Sequence, residues 1–151
     1  MTKRLGFLLV LATLLSLVLV ACGDETAPVP TYPGGTSITL PDSIKSQFTT
    51  TLANYKNTSA DGFKTTDDLA KVKSSFQSSF KSAGWDDVTD KLNSQPGAKA
   101  ISDAGGFAIG FTKGNKGANV IAVPNAYAEG SGFTGINAGE NPYIVISGNS
   151  Q

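Results

Sequence analysis

Histidine is absent from this chain of 151 residues, and cysteine and tryptophan each occur once. Arginine occurs only as Arg4. The absence of histidine removes the most common general base and metal ligand, and a single cysteine cannot form an internal disulfide. The scarcity of arginine, with 12 basic and 12 acidic residues, indicates no basic surface for nucleic acid. We therefore predict a protein that is not an enzyme and that has no catalytic residue, metal site, cofactor or nucleic-acid partner.

The N-terminal segment has the layout of an export signal. Lys3 and Arg4 precede an uncharged run, rich in leucine and valine, that extends from residue 5 to residue 21. Its end, "LVAC" at residues 19–22, resembles the lipobox of bacterial lipoproteins. The resemblance implies a signal peptide at residues 1–21, lipid attached to the Cys22 thiol, and an exported protein anchored in the cell membrane and facing outside the cytoplasm. The alternative is an uncleaved membrane helix, although a spanning helix needs about twenty apolar residues.

A proline-rich stretch follows Cys22. Pro28, Pro30 and Pro33 favour an extended backbone, so residues 22–36 are predicted to be a semi-rigid tether that begins at the lipidated cysteine. Residues 37–151 then form one small domain. After residue 21 the chain holds ten lysines and twelve acidic residues, so the mature protein is mildly acidic.

Two amphipathic helices are predicted in the first half of this domain, because apolar residues recur there at helical spacing. In the first helix these residues are Ile44, Phe48, Leu52 and Tyr55, and in the second they are Leu69, Val72, Phe76, Phe80 and Ala83.

The ends of the second helix carry start and stop signals. Thr65 and Asp68 are predicted to form a capping pair at its start. Gly84 is suited to a left-handed stop, which places Trp85 against Phe80 in a Schellman motif. A further short helical piece is predicted from Asp86 to Asn93.

The remaining segments are typical of β-structure. Residues 38–40 and part of "SADGFKTT" at residues 59–66 indicate short strands, the latter after a turn. Longer strands are predicted in "GGFAIGFTK", "NVIAVP" and "NPYIVISG", and "KGNKG" at residues 113–117 closes a hairpin between the first two. Phe107, Phe111 and Trp85 are predicted to be core residues. The predicted fold is α+β, with two helices packed on a small antiparallel sheet of about three to five strands, after an N-terminal signal helix.

Three short patterns resemble a small α+β module found in uncharacterised bacterial lipoproteins. They are the Tyr-Pro-Gly start at Tyr32–Gly35, the helix ending in Ala-Gly-Trp at Ala83–Trp85, and the Lys-Gly turn at Lys113 and Gly114. That module usually has an aromatic pair in the middle of its helix, whereas this chain has Ser75 and Phe76. The resemblance implies a fold and no activity.

A glycine-rich loop at residues 125–141 is long enough to be functional. Tyr127 and Phe133 lie in it, and exposed loop aromatics are good contact residues. The leading hypothesis is a non-catalytic interaction or structural module that binds an envelope protein through this loop. The alternative is an accessory lipoprotein that binds a small molecule in a cleft between sheet and helix.

Two motifs lack the context that their chemistry requires. Gly130, Gly132 and Gly135 form G-x-G-x-x-G, but no strand is predicted before it and no helix after it. Ser78 and Lys81 form S-x-x-K, but the accompanying S-D-N and K-T-G elements of penicillin-recognising enzymes are missing. Neither motif indicates a site.

Overall fold

A computed structural model describes residues 27–150, without the side chains of residues 49–51. It is an α+β fold with one antiparallel sheet of six strands. The predicted signal peptide and Cys22 lie outside the described residues. In chain order the elements are β1 (Thr36–Ile38), α1 (Asp42–Thr51), β2 (Tyr55–Thr65), α2 (Leu69–Ser82), β3 (Asp86–Asp87), α3 (Thr89–Asn93), α4 (Pro96–Asp103), β4 (Phe107–Lys113), β5 (Lys116–Ala122), α5 (Asn125–Ala128), a 3₁₀ helix (Glu129–Ser131) and β6 (Asn141–Ser150).

The sheet has the strand order β1-β2-β6-β5-β4-β3, so the C-terminal strand lies in its middle. Strand β6 pairs with β2 on one side and with β5 on the other. Its residues from Pro142 to Gly148 alternate between two faces, and all of them are buried. This strand therefore supplies side chains to two cores at once.

Each face of the sheet carries its own apolar core. On one face, α1, α3, α4 and α5 contribute residues such as Ile44, Leu92 and Ile101. On the other face, α2 packs Phe76 and Phe80 against the sheet, together with residues that precede β1. The result is three layers, with the sheet in the centre.

The coarse prediction of an α+β fold with an antiparallel sheet is confirmed, but the numbers of elements were too low. The described residues form six strands and five α-helices. Asp86 and Asp87, predicted to start a helix, instead pair with Thr112 and Phe111 as an edge strand. Helices α4 and α5 were not predicted, because each is short and presents few apolar residues to the core.

Strand β2 corrects two further predictions. Tyr55, predicted to end the first helix, starts this strand opposite Ser150. The turn expected near residue 59 is absent because the strand runs through to Thr65. A bulge between Lys56 and Ser59, with Asn57 at φ +50°, is the local irregularity instead. Strand β1 spans Thr36–Ile38 rather than residues 38–40.

The predicted end of α2 is confirmed in detail. Gly84 has φ +76°, its N–H donates to the Lys81 carbonyl at 3.0 Å, and the Trp85 N–H donates to the Phe80 carbonyl at 3.0 Å. These two bonds define a Schellman motif. The rings of Phe80 and Trp85 meet edge to face at 5.2 Å.

The predicted capping pair at the start of α2 is wrong. Asp68 is the N-cap residue, but its side chain makes no capping hydrogen bond. Thr65 is the last residue of β2, and its hydroxyl accepts from the Asp67 N–H at 3.1 Å. The threonine therefore stabilises the strand-to-helix connection rather than the helix itself.

The predicted β4–β5 hairpin is confirmed, with Lys113 opposite Lys116 and a two-residue loop between them. Phe107 and Phe111 are buried core residues, as is Trp85.

Across residues 27–150, no helix has the length and apolar character needed to cross a membrane.

Candidate functional site

The N-terminal arm, which we define as residues 27–35, lies over the sheet and encloses a cavity of about 180 Å³. The arm forms one wall, Phe76 of α2 forms another, and β2 and β6 form the floor. The cavity is lined by Val29, Pro30, Thr31, Tyr32, Ser59, Asp61, Phe63, Phe76, Tyr143, Val145 and Ser147. We call this cavity the arm pocket.

The floor of the arm pocket changes from aromatic to polar along the strands. It consists of three cross-strand pairs that point to the same face of the sheet. Successive pairs are about 7 Å apart, since every second residue of a strand faces the same side. In order, the pairs are Phe63 with Tyr143, Asp61 with Val145, and Ser59 with Ser147.

Tyr143 is the centre of the aromatic end. Its ring stacks on Phe63 at 5.2 Å with 16° between the planes. Phe76 and Tyr32 meet it edge to face, at 5.8 Å and 6.4 Å between ring centroids. Tyr143 is only 1% exposed. Offset and edge-to-face packing of this kind stabilises an aromatic cluster beyond the area that it buries, so this end is a preformed apolar wall.

The polar end carries one charge. Asp61 is exposed at the edge of the arm pocket, and its carboxylate accepts a hydrogen bond from the Ser59 hydroxyl. No lysine lines the pocket. Among the ion pairs that the described residues form, none includes Asp61. Ser147 opposite is buried, with 8% of its surface exposed.

Two side-chain hydrogen bonds hold the arm on the domain. Lys116 donates from Nζ to the carbonyl of Ala27 at 2.9 Å. The Tyr32 hydroxyl donates to Oδ2 of Asp67 at 2.5 Å. Ala27 and Tyr32 are both buried, at 2% and 8% exposed. The described part of the predicted tether is therefore not a free linker but a wall of the folded domain.

The turn at the end of the arm depends on glycine. The Gly35 N–H donates to the Tyr32 carbonyl at 3.1 Å, with Pro33 at the second turn position. A Cβ on Gly34 would lie 2.7 Å from Oδ2 of Asp67. A Cβ on Gly35 would overlap the Tyr143 hydroxyl. The two glycines let the arm approach the aromatic cluster closely.

Burial and neighbouring charges shift the pKa values of three side chains around the arm pocket. Burial raises the pKa of Tyr143 to about 12, with a smaller contribution from Tyr32. Burial, followed by the Asp67 carboxylate, raises the pKa of Tyr32. Hydrogen bonds from Lys71, and then from Tyr32, lower the pKa of Asp67. At neutral pH both tyrosines are therefore neutral and Asp67 is ionised.

The predicted contact loop is structured, and only one of its two aromatics is exposed. Tyr127 is 45% exposed on α5. Phe133 is 5% exposed and belongs to the core that includes Ala128. The expectation of an exposed Phe133 is wrong, because the chain turns back after the 3₁₀ helix and the Phe133 N–H donates to the Ala128 carbonyl at 3.0 Å. The contact role of Tyr127 stays a prediction.

The S-x-x-K residues lie at an open groove of about 530 Å³ beside the end of α2. Ser78 and Lys81 line it with Trp85, Asp86 and Asp87. Most of this rim is exposed, and it mixes one basic with two acidic side chains. Within residues 27–150, no three side chains of a metal-ligating type come together as a cation site.

The residues of the arm pocket were not singled out from the sequence. Ser59, Asp61 and Phe63 share a face of β2 because they are two residues apart, but this face mixes two polar residues with one apolar residue and so shows no apolar–polar alternation. The sequence predicts only a turn and a brief strand within residues 59–66. The pairing that brings Asp61 beside Val145 joins distant parts of the chain, and no local pattern predicts it.

No protein-family model matches this chain, and no match is found among curated proteins or solved structures. The resemblance to a lipoprotein module therefore stays a prediction.

Proposed function

We propose that this chain is an exported, lipid-anchored protein of the cell envelope whose domain is a non-catalytic binding module for a small ligand. The single observation that carries the ligand-binding part is the arm pocket, a cavity of about 180 Å³ with an aromatic wall and one carboxylate. Concave, mostly apolar sites with a few placed polar groups are the usual form of small-molecule sites. This observation favours the small-molecule alternative over a contact loop that includes Phe133.

A non-catalytic role fits the side chains at the pocket. Ser59 donates its hydroxyl hydrogen to Asp61, and this hydrogen bond orders both polar groups at the edge of the pocket. The chain has no histidine to activate either Ser59 or Ser147. Binding therefore accounts for the pocket more simply than hydrolysis does.

The anchor would hold the domain close to the bilayer. Cys22 precedes Ala27 by five residues, which span at most roughly 18 Å when fully extended. Ala27 is itself buried against the domain. The part of the predicted tether that precedes the folded arm is then at most residues 22–26, and the arm pocket would lie near the membrane surface.

The anchor is tested by Cys22→Ser in the full chain expressed in bacteria. We expect the wild-type protein to fractionate with membranes and to carry a diacylglycerol mass on an N-terminal Cys22. The serine variant should keep its signal peptide or be released without lipid. Recovery of unmodified Cys22 inside an intact membrane-bound chain would instead indicate that the apolar run is the anchor.

The ligand-binding role is tested by thermal-shift screening of a metabolite panel. Ser147 lines the cavity, so Ser147→Phe should fill it, whereas Ser147→Ala removes only the hydroxyl. We expect some compounds to stabilise the wild type and the alanine variant but not the phenylalanine variant. A ligand at 100 times its Kd adds about 2.7 kcal/mol to the free energy of unfolding. If no compound distinguishes the phenylalanine variant, the pocket is not a ligand site.

One observation keeps the interaction module as a second candidate, namely the exposure of Tyr127 at 45% of its surface. Proximity labelling from the lipidated protein in living cells tests it, with Tyr127→Ser as the matched variant. Envelope neighbours that are lost with this variant would support a contact role. If the variant labels the same neighbours as the wild type, Tyr127 has no contact role.

A further inference from the structure

We infer that the arm pocket takes a small organic cation, with its charged nitrogen at Asp61 and its apolar body against the aromatic end. This inference rests on the proposed ligand-binding function and specifies the ligand class. The pocket combines a carboxylate, which attracts a charged nitrogen, with aromatic side chains, which take up an apolar body.

The charge at Asp61 is the first argument. Four described acidic residues form ion pairs with a lysine, namely Asp42 with Lys45 at 3.9 Å, Asp67 with Lys71 at 2.7 Å, Asp103 with Lys99 at 2.9 Å, and Glu140 with Lys64 at 2.9 Å. Asp61 is among the described acidic residues that do not, and it is the one that lines the arm pocket. Its one hydrogen-bond donor, the Ser59 hydroxyl, is neutral.

The residues that line the pocket disfavour a negatively charged ligand. No lysine or arginine faces the cavity, so an anion would meet Asp61 without compensation. A neutral apolar ligand would cover part of the carboxylate and reduce its hydration without replacing it, which is unfavourable. A cation replaces that hydration with a charge-assisted hydrogen bond, which is stronger than a bond between neutral groups.

The size and shape of the cavity set the scale of the ligand. The volume of about 180 Å³ slightly exceeds that of an engineered cavity of about 150 Å³ that accepts benzene. Asp61 lies one cross-strand pair, about 7 Å along the strand, from the pair of Phe63 and Tyr143. A single ring or branched alkyl group that carries an amine on a short linker fits both this volume and this distance.

Isothermal titration calorimetry at pH 7 and 0.15 M salt tests the inference with benzylamine as the cationic probe and benzyl alcohol as its neutral counterpart. We expect benzylamine to bind the wild type about two to five times more tightly than benzyl alcohol, because Asp61 is exposed and an exposed ion pair contributes modestly. Asp61→Asn should remove this difference and leave the binding of benzyl alcohol unchanged. Asp90→Asn removes the same charge from an exposed position on α3 and should change neither.

The outcomes separate the ligand class from the function. Equal binding of both probes to the wild type, or undiminished benzylamine binding to Asp61→Asn, would overturn the cation assignment and leave a small-molecule site in place. Failure of benzylamine to bind the wild type would also overturn the cation assignment. The proposed function fails as well only if the metabolite panel yields no compound that distinguishes Ser147→Phe.

Discussion

Gly35 lies directly against the phenolic hydroxyl of Tyr143, in a space that cannot hold a Cβ atom. This contact joins the turn that ends the arm to the aromatic ring at the centre of the arm pocket. The arm reaches the sheet only because residue 35 has no side chain, so the pocket wall and the aromatic floor depend on each other.

We expect Gly35→Ala to lower the free energy of unfolding by about 1–3 kcal/mol, the usual cost of overpacking. Removing the oxygen with Tyr143→Phe should recover part of this loss in the double variant. Urea denaturation of the four proteins gives the coupling free energy. If the losses of stability in the two single variants simply add in the double variant, the contact with the Tyr143 hydroxyl is not the cause of the Gly35→Ala destabilisation.

The second prediction concerns alkaline pH. The pKa of Tyr143 is raised from 10.0 to about 12 in the fold, so between these values the unfolded chain loses the proton and the folded chain keeps it. The contribution of Tyr143 to stability is therefore constant below about pH 10 and falls as the pH rises toward 12, by up to about 1.4 kcal/mol per pH unit for one proton.

Denaturation curves between pH 9 and pH 12 test this. Tyr143→Phe should have a shallower decline than the wild type, and a residual slope should remain because the pKa of Tyr32 is also raised. Tyr127→Phe, at an exposed position, should follow the wild type. Identical slopes for Tyr143→Phe and the wild type would contradict the burial of this hydroxyl.

The third prediction separates the two aromatics of the 125–141 loop. Phe133→Ser should destabilise the domain by about 3–5 kcal/mol, because it empties a buried aromatic position. Tyr127→Ser should change stability by less than about 0.5 kcal/mol, as is usual for an exposed position. Thermal unfolding of both variants is sufficient, and equal effects would argue against the packing of this loop.

The fourth prediction concerns the glycine that ends α2. Gly84 has φ +76°, so Gly84→Ala should cost about 1–2 kcal/mol. Gly130→Ala is the matched control, because a Cβ there meets nothing within 4 Å. Urea unfolding that shows no difference between the two variants would contradict the Schellman motif.

Local features were predictable from the sequence, and long-range features were not. Phe80, Gly84 and Trp85 are close in the chain, so the helix stop and its aromatic contact follow from helix geometry alone. The hairpin between Lys113 and Lys116 is equally local.

The arm pocket depends on contacts between distant residues. Proline content predicts an extended segment, but it does not indicate that Lys116 binds the Ala27 carbonyl. Asp86 is a strand residue only because Thr112 lies opposite. Phe133 is expected at the surface because it lies in a glycine-rich loop, whereas its burial depends on packing against residues such as Ala128 of α5.

The most direct test of the arm pocket as a site for a small organic cation is a titration of the ¹⁵N-labelled domain with benzylamine, followed by amide chemical shifts. The account predicts shifts at residues 29–32, 59–63 and 143–147, with Tyr127 and Trp85 unaffected. Shifts confined to the groove at Trp85 or to the surface around Tyr127, or no shifts at all, would contradict it.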